Sequence, residues 1–476
     1  MKIKEGIHLY ININNLNAIV RKEESKYDDL RRTFHALNTW ISTIEKFGKD
    51  NENFYPEKFT TSRLHFYFKD SENIGDDAVE MIEMAVFANK LASELTTIGK
   101  YKEMIKFEVG VGMDLGIFTE FNFEDDDSEI EEMTTIGSPA NRAAKLQSRC
   151  EKGKILISSK IYEVLPENIK AKFFDKGENL INVASKYADL RAYEAACDEV
   201  REILGDNYKS REENAIEWAK EKANETNLED ICFSDAKKQV DFSSLSLKNS
   251  KDVENAVVLY SDIRGFTNKV DHGKLSEMKS LTQKVLQGMY SAVKKEDGTH
   301  VQFQGDRESA IFNSLTDKGD FALRAVFSGM RILDKIDEIN EDRNTDKLNV
   351  GIGCAVGRVF ATRVGLRGDE KFNVILSETV KEADTAEDEV AGVEMTDPKT
   401  ELVITKDLYD YLAALGTKEA NNVKSLFKER KKWGKKYYTT TKRMSAYRND
   451  LEDKNQKNNA QEAKKNYGIK PWGVTF

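Results

Sequence analysis

The sequence is poor in proline and cysteine and has no long hydrophobic run. Only 5 of its 476 residues are proline, and its 4 cysteines, Cys150, Cys197, Cys232 and Cys354, form no CxxC pair. This spacing fits neither a zinc site nor a disulfide framework, so we expect reduced cysteines with structural roles. No apolar stretch approaches the roughly 20 residues that span a membrane, and the N-terminal residues show no signal-peptide pattern. These absences predict a cytoplasmic protein without a membrane partner.

The sequence also lacks an excess of basic residues. Its 73 lysines and arginines are outnumbered by 83 aspartates and glutamates, which gives a formal net charge of -10. General nucleic-acid binders normally carry a basic stripe, so we expect no nucleic-acid partner. A small anionic ligand that is held by a few local cations is compatible with this balance.

What the sequence does contain is a second copy of its own pattern. FEVGVGMDLGIF (Phe107–Phe118) and LNVGIGCAVGRVF (Leu348–Phe360) share an apolar strand, a GxG turn and a further glycine. Three more pairs of segments match in the same order: HLYININNLNAI from His8 with VLYSDIRGFTNK from Val258, AVF at 85–87 with AVF at 325–327, and KILISSKIYEVL from Lys154 with ELVITKDLYDYL from Glu401. Four ordered matches indicate an internal duplication, and the period is long enough for each copy to be a domain.

Each copy alternates strand-like and helix-like segments in the same order. A first strand and a helical stretch are followed by a strand pair, a second helix, the glycine-rich strand, a polar loop, another helix and a closing strand. This pattern predicts two tandem α/β domains, each an α+β sandwich with a mixed sheet. We place them at 1–198 and 251–440, with a charged helical linker at 199–250 and a polar C-terminal tail at 441–476.

Two aspartates of the second copy follow strand-like segments. Asp262 ends the first strand, in VVLYSDIRGFT, and Asp306 follows a glycine between two strand-like runs, which suggests a hairpin tip. If the hairpin lies beside the first strand, the carboxylates converge and can hold magnesium that bridges to phosphates. Gly265, Phe266 and Thr267 can offer backbone N–H groups to the phosphate oxygens. Each aspartate alone is also ordinary turn or helix-cap chemistry, so the prediction depends on the pair.

The segments YSDIRGFT, GTHVQFQGDRESAIF and VGIGCAVGRVF resemble the catalytic domain of the class III adenylate and guanylate cyclases, over nearly all of both copies. The resemblance implies two cyclase-like domains in an intramolecular pseudo-heterodimer, with metal ligands from one domain and base and ribose contacts from the other. Asp262, Ile263 and Asp306 would form the site of two Mg²⁺ or Mn²⁺ ions. The ribose 3′-hydroxyl of a nucleoside triphosphate would attack the α-phosphate and release pyrophosphate.

The first copy has lost the metal carboxylates. Alignment of the two copies puts Asn12 at the position of Asp262 and Ser62 at the position of Asp306. The first copy therefore cannot bind the metals as the second copy would.

The first copy instead keeps the complementary half of a site. In TTIGSPANRAAKLQS (Thr134–Ser148), the resemblance assigns the ribose-orienting asparagine to Asn141 and the transition-state cation to Lys145, where the family usually has arginine. A spacing of four puts both residues on one helix face, although each alone could be an ordinary exposed helix residue. The second copy has Lys381 and Thr385 at these positions. The chain would thus contain one complete site and one degenerate site.

Base recognition is assigned by the resemblance to Lys58 and Thr134, or to Thr135 if the alignment shifts by one residue. Lysine only donates and threonine can accept, so the pair fits adenine or cytosine and disfavours guanine and uracil. Lys186 is a candidate for contact with the triphosphate. The acidic stretch FEDDDSEIEE (Phe123–Glu132) is predicted to be a solvated loop beside the site.

The two copies take up almost all of the chain, without an evident receptor, membrane or phosphorelay module. This architecture resembles the bacterial pyrimidine cyclases of antiphage (Pycsar-type) systems, which make a cyclic nucleotide for a separate effector protein. We therefore expect conversion of CTP to cyclic CMP, with conversion of ATP to cyclic AMP as the alternative. A nucleotide sensor without turnover is a further alternative, which Lys145 favours and the retained Asp262 and Asp306 oppose.

Overall fold

The structure is a computed structural model that describes residues 3–60, 62–124, 131–177, 191–236, 238–265, 275–314, 320–343, 347–366, 371–391 and 399–467. Lys186, Phe266 and Thr267 lie outside these residues. In the part of the chain that is described, no helix is both long and apolar enough to cross a lipid bilayer.

The first domain is built on a mixed sheet. Its strands are β1 (Ile3–Ile13), β2 (Phe54–Thr60), β3 (Arg63–Lys69), β4 (Val109–Glu124), β5 (Glu131–Gly137), β6 (Lys154–Ser158), β7 (Phe174–Gly177) and β8 (Ala192–Ala196). The strand order is β2-β3-β1-β4-β6-β8-β7, and β5 pairs with the outer part of β4. All neighbours are antiparallel except β4 and β6, which run parallel.

Alternation of side chains decides which face of this sheet is the core. On β1, Ile7, Leu9 and Ile11 are buried in the main apolar cluster, while His8 and Tyr10 point to the opposite face because successive strand residues alternate. The helices of this domain are α1 (Leu16–Tyr27), α2 (Arg31–Gly48), α3 (Ile74–Leu95), α4 (Ser138–Arg149), α5 (Ser159–Val164), α6 (Glu167–Lys170), α7 (Cys197–Ile203) and α8 (Asp206–Asn224). Helices α2 and α3 pack on the core face.

The second domain repeats this arrangement. Its strands are β9 (Phe233–Asp235), β10 (Ser250–Ile263), β11 (Thr299–Gln304), β12 (Arg307–Asn313), β13 (Val350–Val364), β14 (Phe372–Leu376), β15 (Glu401–Thr405), β16 (Lys428–Lys432) and β17 (Lys435–Thr440). The order is β11-β12-β10-β13-β15-β17-β16, with β14 on β13 and β9 parallel to β10. Its helices are α9 (Leu275–Lys295), α10 (Phe321–Glu341), α11 (Glu378–Thr385), α12 (Lys406–Ala414), α13 (Lys418–Lys424) and α14 (Met444–Tyr467). The matching strand order confirms the predicted α/β fold class.

The segments outside the two predicted domains also pack on them. Helices α7 and α8, which cover much of the predicted linker, bury Val200, Tyr208 and Ala219 in the core of the first domain. Helix α14, in the predicted polar tail, buries Met444 and Tyr447 against the core of the second domain. Apolar residues within these polar segments explain why they pack.

The two domains exchange apolar residues across their interface. Phe121 and Phe123, near the end of β4, belong to the apolar cluster of the second domain. In return, Phe360 and Val364 of β13 and Phe372 of β14 belong to the apolar cluster of the first domain. Because equivalent strands make both contacts, the interface follows the internal duplication.

Candidate active site

Sheet pairing brings Asp262 and Asp306 to the same edge of the second domain. Asp262 lies near the end of β10, opposite Gly351 of β13. Asp306 lies in the turn between β11 and β12, directly after Gly305, whose φ of 69° is in the left-handed region. Since β12 pairs antiparallel with β10 up to Ser261 and Glu308, the turn lies beside the end of β10.

The two carboxylates are close enough to affect each other's ionisation. Burial raises the pKa of Asp306 well above its usual value, and the charge of Asp262 raises it further. Burial also raises the pKa of Asp262, although Arg264 and Arg307 oppose the shift. The Oδ2 atom of Asp306 is buried and accepts no hydrogen bond from the residues that the structure describes. A divalent cation would relieve the repulsion and supply the missing partner, so these residues fit a metal site.

The donor set around the aspartates is small. Among the residues that the structure describes, no group of three or more His, Cys, Asp or Glu side chains is arranged to hold a metal ion. Among the described residues, a metal at this edge would find the carboxylates of Asp262 and Asp306 and the backbone oxygen of Ile263. Magnesium commonly keeps several waters and substrate phosphate oxygens in such sites.

Three charged residues that sequence reasoning did not assign surround the aspartates. The Nη1 atom of Arg264 lies 3.7 Å from Oδ2 of Asp262. Glu387, in a π-helical turn at Ala386–Val390, forms ion pairs of 2.7 Å with Arg264 and 2.8 Å with Arg307. Arg264 and Arg307 could have been suspected because they adjoin the aspartates, but only the sheet topology brings in Glu387.

Asn141 and Lys145 both lie on α4 of the first domain, half-buried, whereas Ala143, Leu146 and Gln147 of the same helix are buried. The helix packs directly against β4 at Gly112, where a Cβ atom would lie 2.3 Å from the carbonyl oxygen of Ala143. Glycine at this position therefore fixes how closely α4 approaches the sheet. The roles of Asn141 and Lys145 stay predictions.

Lys58 and Thr134 belong to one buried cluster, and Glu57 connects them. The hydroxyl of Thr134 donates to Oε1 of Glu57 at 2.9 Å, and that of Thr135 donates to Oε2 at 2.7 Å. The ammonium of Lys58 lies 3.7 Å from Oε1 of Glu57. Burial opposes ionisation of Glu57, but His65, Lys58 and Thr135 hold its pKa well below its usual range. Glu57 is therefore an ionised acceptor.

A second carboxylate, Glu132, joins Lys58 to the other domain. Lys58 donates to Oε1 of Glu132 at 3.3 Å and to the backbone oxygen of Phe303 at 2.8 Å. Glu132 also pairs with His300 at 2.9 Å, and His300 pairs with Glu308 at 2.8 Å. Burial alone would lower the pKa of His300, but Glu308 and Glu132 raise it to about 10. The imidazolium therefore links the domains beside Lys58.

These contacts change the interpretation of the acidic stretch at 123–132. Residues 125–130 lie outside the described residues, but Phe123 ends up in the core of the second domain and Glu132 in the ionic cluster. Both ends of the stretch thus differ from a solvated loop. The adjacency of Glu57 to Lys58 was a signal that sequence reasoning could have used, whereas nothing in the sequence pointed to His300.

Comparison with known proteins matches the second domain to a protein family and most of the chain to a relative. Residues 248–428 match the family model described as the adenylate and guanylate cyclase catalytic domain. A uridylate cyclase from a Rhizobium species is 22% identical over 406 residues, which cover 80% of this chain and 74% of that protein. A uridylate cyclase from Burkholderia cepacia is 28% identical over 127 residues, 26% of this chain and 56% of that protein.

Among solved structures, a class III adenylyl cyclase-like ATP-binding protein from Pseudomonas aeruginosa has the same fold over nearly the whole chain. The TM-score is 0.69 at 20% sequence identity, and the match covers 94% of this chain and 90% of that chain. The likeness thus spans both domains.

Proposed function

We propose that the whole chain is a class III nucleotide cyclase, since its second domain matches the family of adenylate and guanylate cyclase catalytic domains. It converts a pyrimidine nucleoside triphosphate to the 3′,5′-cyclic nucleotide and diphosphate, with UTP as the preferred substrate over CTP. The observation that carries the proposal is the pair of Asp262 and Asp306, which adjoin at one sheet edge and leave a buried carboxylate oxygen without a hydrogen-bond partner among the described residues.

Asp262 and Asp306 would hold two Mg²⁺ or Mn²⁺ ions, together with the backbone oxygen of Ile263. Such ions, when bound, neutralise phosphate charge and lower the pKa of the attacking hydroxyl. Gly265 is positioned at the end of β10, and the backbone of Phe266 and Thr267 after it would face the phosphates, with Lys186 as a further cation for the triphosphate.

The first domain would supply the groups that orient the nucleotide. Asn141 would hold the ribose through its side-chain amide, so that the 3′-hydroxyl faces the α-phosphate. Lys145, on the same face of α4, would place a positive charge where negative charge develops in the transition state. Lysine acts here as a point charge without the two-pronged geometry of arginine. The two domains therefore form one composite site as an intramolecular pseudo-heterodimer.

The base end of this site places a lysine donor beside two carboxylate acceptors. Cytosine was expected because a lysine donor and a threonine acceptor fit its edge; both threonine hydroxyls donate to Glu57, and their lone pairs can still accept. The groups around Lys58 are instead the carboxylates of Glu57 and Glu132, and the side chain of Glu132 is the more exposed, at 20% against 3%. A lysine donor beside a carboxylate acceptor can pair with O4 and N3–H of uracil and equally with N3 and N4–H₂ of cytosine, so the choice of uracil rests on the relatives. Both curated relatives are uridylate cyclases.

The experiment is incubation of the full chain with each of the four nucleoside triphosphates and Mg²⁺ or Mn²⁺, followed by identification of the products by mass. We expect cyclic UMP as the dominant product, released to a separate effector in the cell. Cyclic CMP or cyclic AMP as the dominant product would contradict the assignment of the base. The absence of any cyclic product would contradict the proposal that the chain is an enzyme.

A nucleotide-binding protein without turnover is the second candidate. It is favoured by the full-length likeness to a Pseudomonas aeruginosa protein that is described as ATP-binding. Calorimetry with ATP and with UTP on the same preparation separates the two: tight ATP binding without any cyclic product would support this candidate, and cyclic UMP formation would exclude it.

A further inference from the structure

We propose that Glu387 is a positioning residue for the metal site: it holds Arg264 away from Asp262, so that this carboxylate stays available to a divalent cation. The inference rests on the metal site of the proposed function. It goes further because it assigns a role to an ion pair whose members were not among the expected ligands.

The contacts of Arg264 are unequal. Its Nη2 atom pairs with Oε1 of Glu387 at 2.7 Å and also donates to the backbone oxygen of Glu387. Its Nη1 atom lies 3.7 Å from Oδ2 of Asp262, which is beyond hydrogen-bonding distance. Two contacts of one guanidinium nitrogen thus go to Glu387, and Asp262 receives only a loose electrostatic contact.

The backbone around Arg264 is shaped for this arrangement. A Cβ atom on Gly351 would lie 1.8 Å from Nη2 of Arg264, so the guanidinium rests directly on the bare backbone of β13. The backbone of Glu387 packs closely on the same strand: a Cβ atom on Gly353 would lie 2.3 Å from the backbone nitrogen of Glu387. The π-helical turn that carries Glu387 is a local irregularity of the kind that is frequent at functional sites.

The first domain provides an internal comparison. Asn12 faces Gly110 as Asp262 faces Gly351, and Gln147 packs on Gly112 as Glu387 packs on Gly353.

At the positions of Arg264 and Glu387, the first domain has Asn14 and Gln147, which are joined by a neutral hydrogen bond of 3.5 Å. The charged pair therefore occurs in the half that keeps the metal carboxylates, and its equivalent is uncharged in the half that has lost them. If the ion pair served packing alone, we would expect it in both domains, and not only in the domain that retains Asp262 and Asp306.

The proposal predicts a specific dependence between the two side chains. Without the Glu387 carboxylate, Arg264 keeps its hydrogen bond to the backbone oxygen of Glu387 but loses its ion pair, so its Nη1 atom can form a charge-assisted hydrogen bond with Asp262 and compete with the cation. Removal of Arg264 should then matter little while Glu387 is present and should restore metal binding when Glu387 is absent.

The test is titration of the full chain with Mn²⁺ alone, with free Mn²⁺ quantified by electron paramagnetic resonance. We expect Glu387→Gln to raise the Kd for Mn²⁺ about tenfold. Arg264→Asn should change it by less than about twofold, and Arg264→Asn with Glu387→Gln, which copies the pair of the first domain, should return it to within about twofold of the wild type. Gln147→Ala is the matched control and should leave binding unchanged.

Three results would overturn the inference: an unchanged Kd in Glu387→Gln, an equal effect of Arg264→Asn in both backgrounds, or a double variant as weak as Glu387→Gln. Melting curves show whether each variant is folded. If Glu387→Gln is unfolded, the test is the double variant, whose Kd for Mn²⁺ must equal that of the wild type. The metal site itself is tested separately with Asp262→Ala. Wild-type binding that does not depend on Asp262 would count against the proposed function and, with it, this inference.

Discussion

Lys58 of the first domain donates a hydrogen bond of 2.8 Å to the backbone oxygen of Phe303 in the second domain. Asp306 lies three residues after Phe303, at the turn of the same hairpin. The residue that we assign to base recognition is therefore anchored on the hairpin that carries Asp306, a proposed metal ligand. This contact joins the base end and the metal end of the proposed site in one structural unit.

Glu132 gives a direct test of base selection. Glu132→Gln replaces an acceptor with an amide that can donate to N3 of cytosine, while the side chain keeps its length. We expect the ratio of kcat/KM for UTP over CTP to fall by about tenfold or more, since each matched hydrogen bond to a charged group contributes roughly 1.5–3 kcal/mol. Tyr67→Phe, which removes a buried hydroxyl that donates to Glu120 on the same sheet, is a control for general disturbance of this domain. An unchanged ratio in Glu132→Gln would show that this carboxylate does not face the base.

His300 predicts a pH dependence of stability. Its folded-state pKa is raised to about 10 from an ordinary value of 6.5, so its contribution is complete below pH 6.5 and is lost as the pH rises towards 10. His300→Gln should lower Tm at pH 6 by roughly 4 to 8 °C, for a loss of about 2 kcal/mol. The difference from the wild type should shrink between pH 6.5 and 10 in thermal melts. Parallel pH profiles of the two proteins would contradict the imidazolium assignment.

Lys145 is predicted to act on the transition state. Lys145→Ala should lower kcat by about 10²-fold with little change in KM, because the lost charge acts where negative charge develops. Lys145→Arg should retain most of the activity, since it keeps the charge. Steady-state kinetics with the preferred triphosphate provide the measurement, and a rise in KM alone would instead assign Lys145 to substrate binding.

The fold could be predicted because one pattern of glycines and strand-like segments occurs twice in the sequence. Gly110 and Gly351 mark equivalent strands, and the structure gives both sheets the same order. The packing of α8 and α14 was harder to foresee, since their few buried residues are spread along polar helices and only the tertiary structure shows what they contact.

The convergence of Asp262 and Asp306 could be predicted because each adjoins a recognisable strand. Ionic contacts could not be predicted where the partners are far apart in the sequence. Glu132 and His300 are separated by 168 residues, and Arg264 and Glu387 by 123. Charged residues are also usually exposed, so composition alone gives no reason to bury either pair.

The central claim is a single composite site with one half from each domain. The most direct measurement is the initial rate of cyclic nucleotide formation from UTP in four variants: Asp306→Asn and Asn141→Ala in the proposed site, and Ser62→Ala and Lys381→Ala at the equivalent positions of the degenerate site. The account predicts a loss of at least about 10²-fold for each of the first two and rates within about threefold of the wild type for the other two. Retained activity in Asp306→Asn or Asn141→Ala, or equal losses in all four variants, would contradict it.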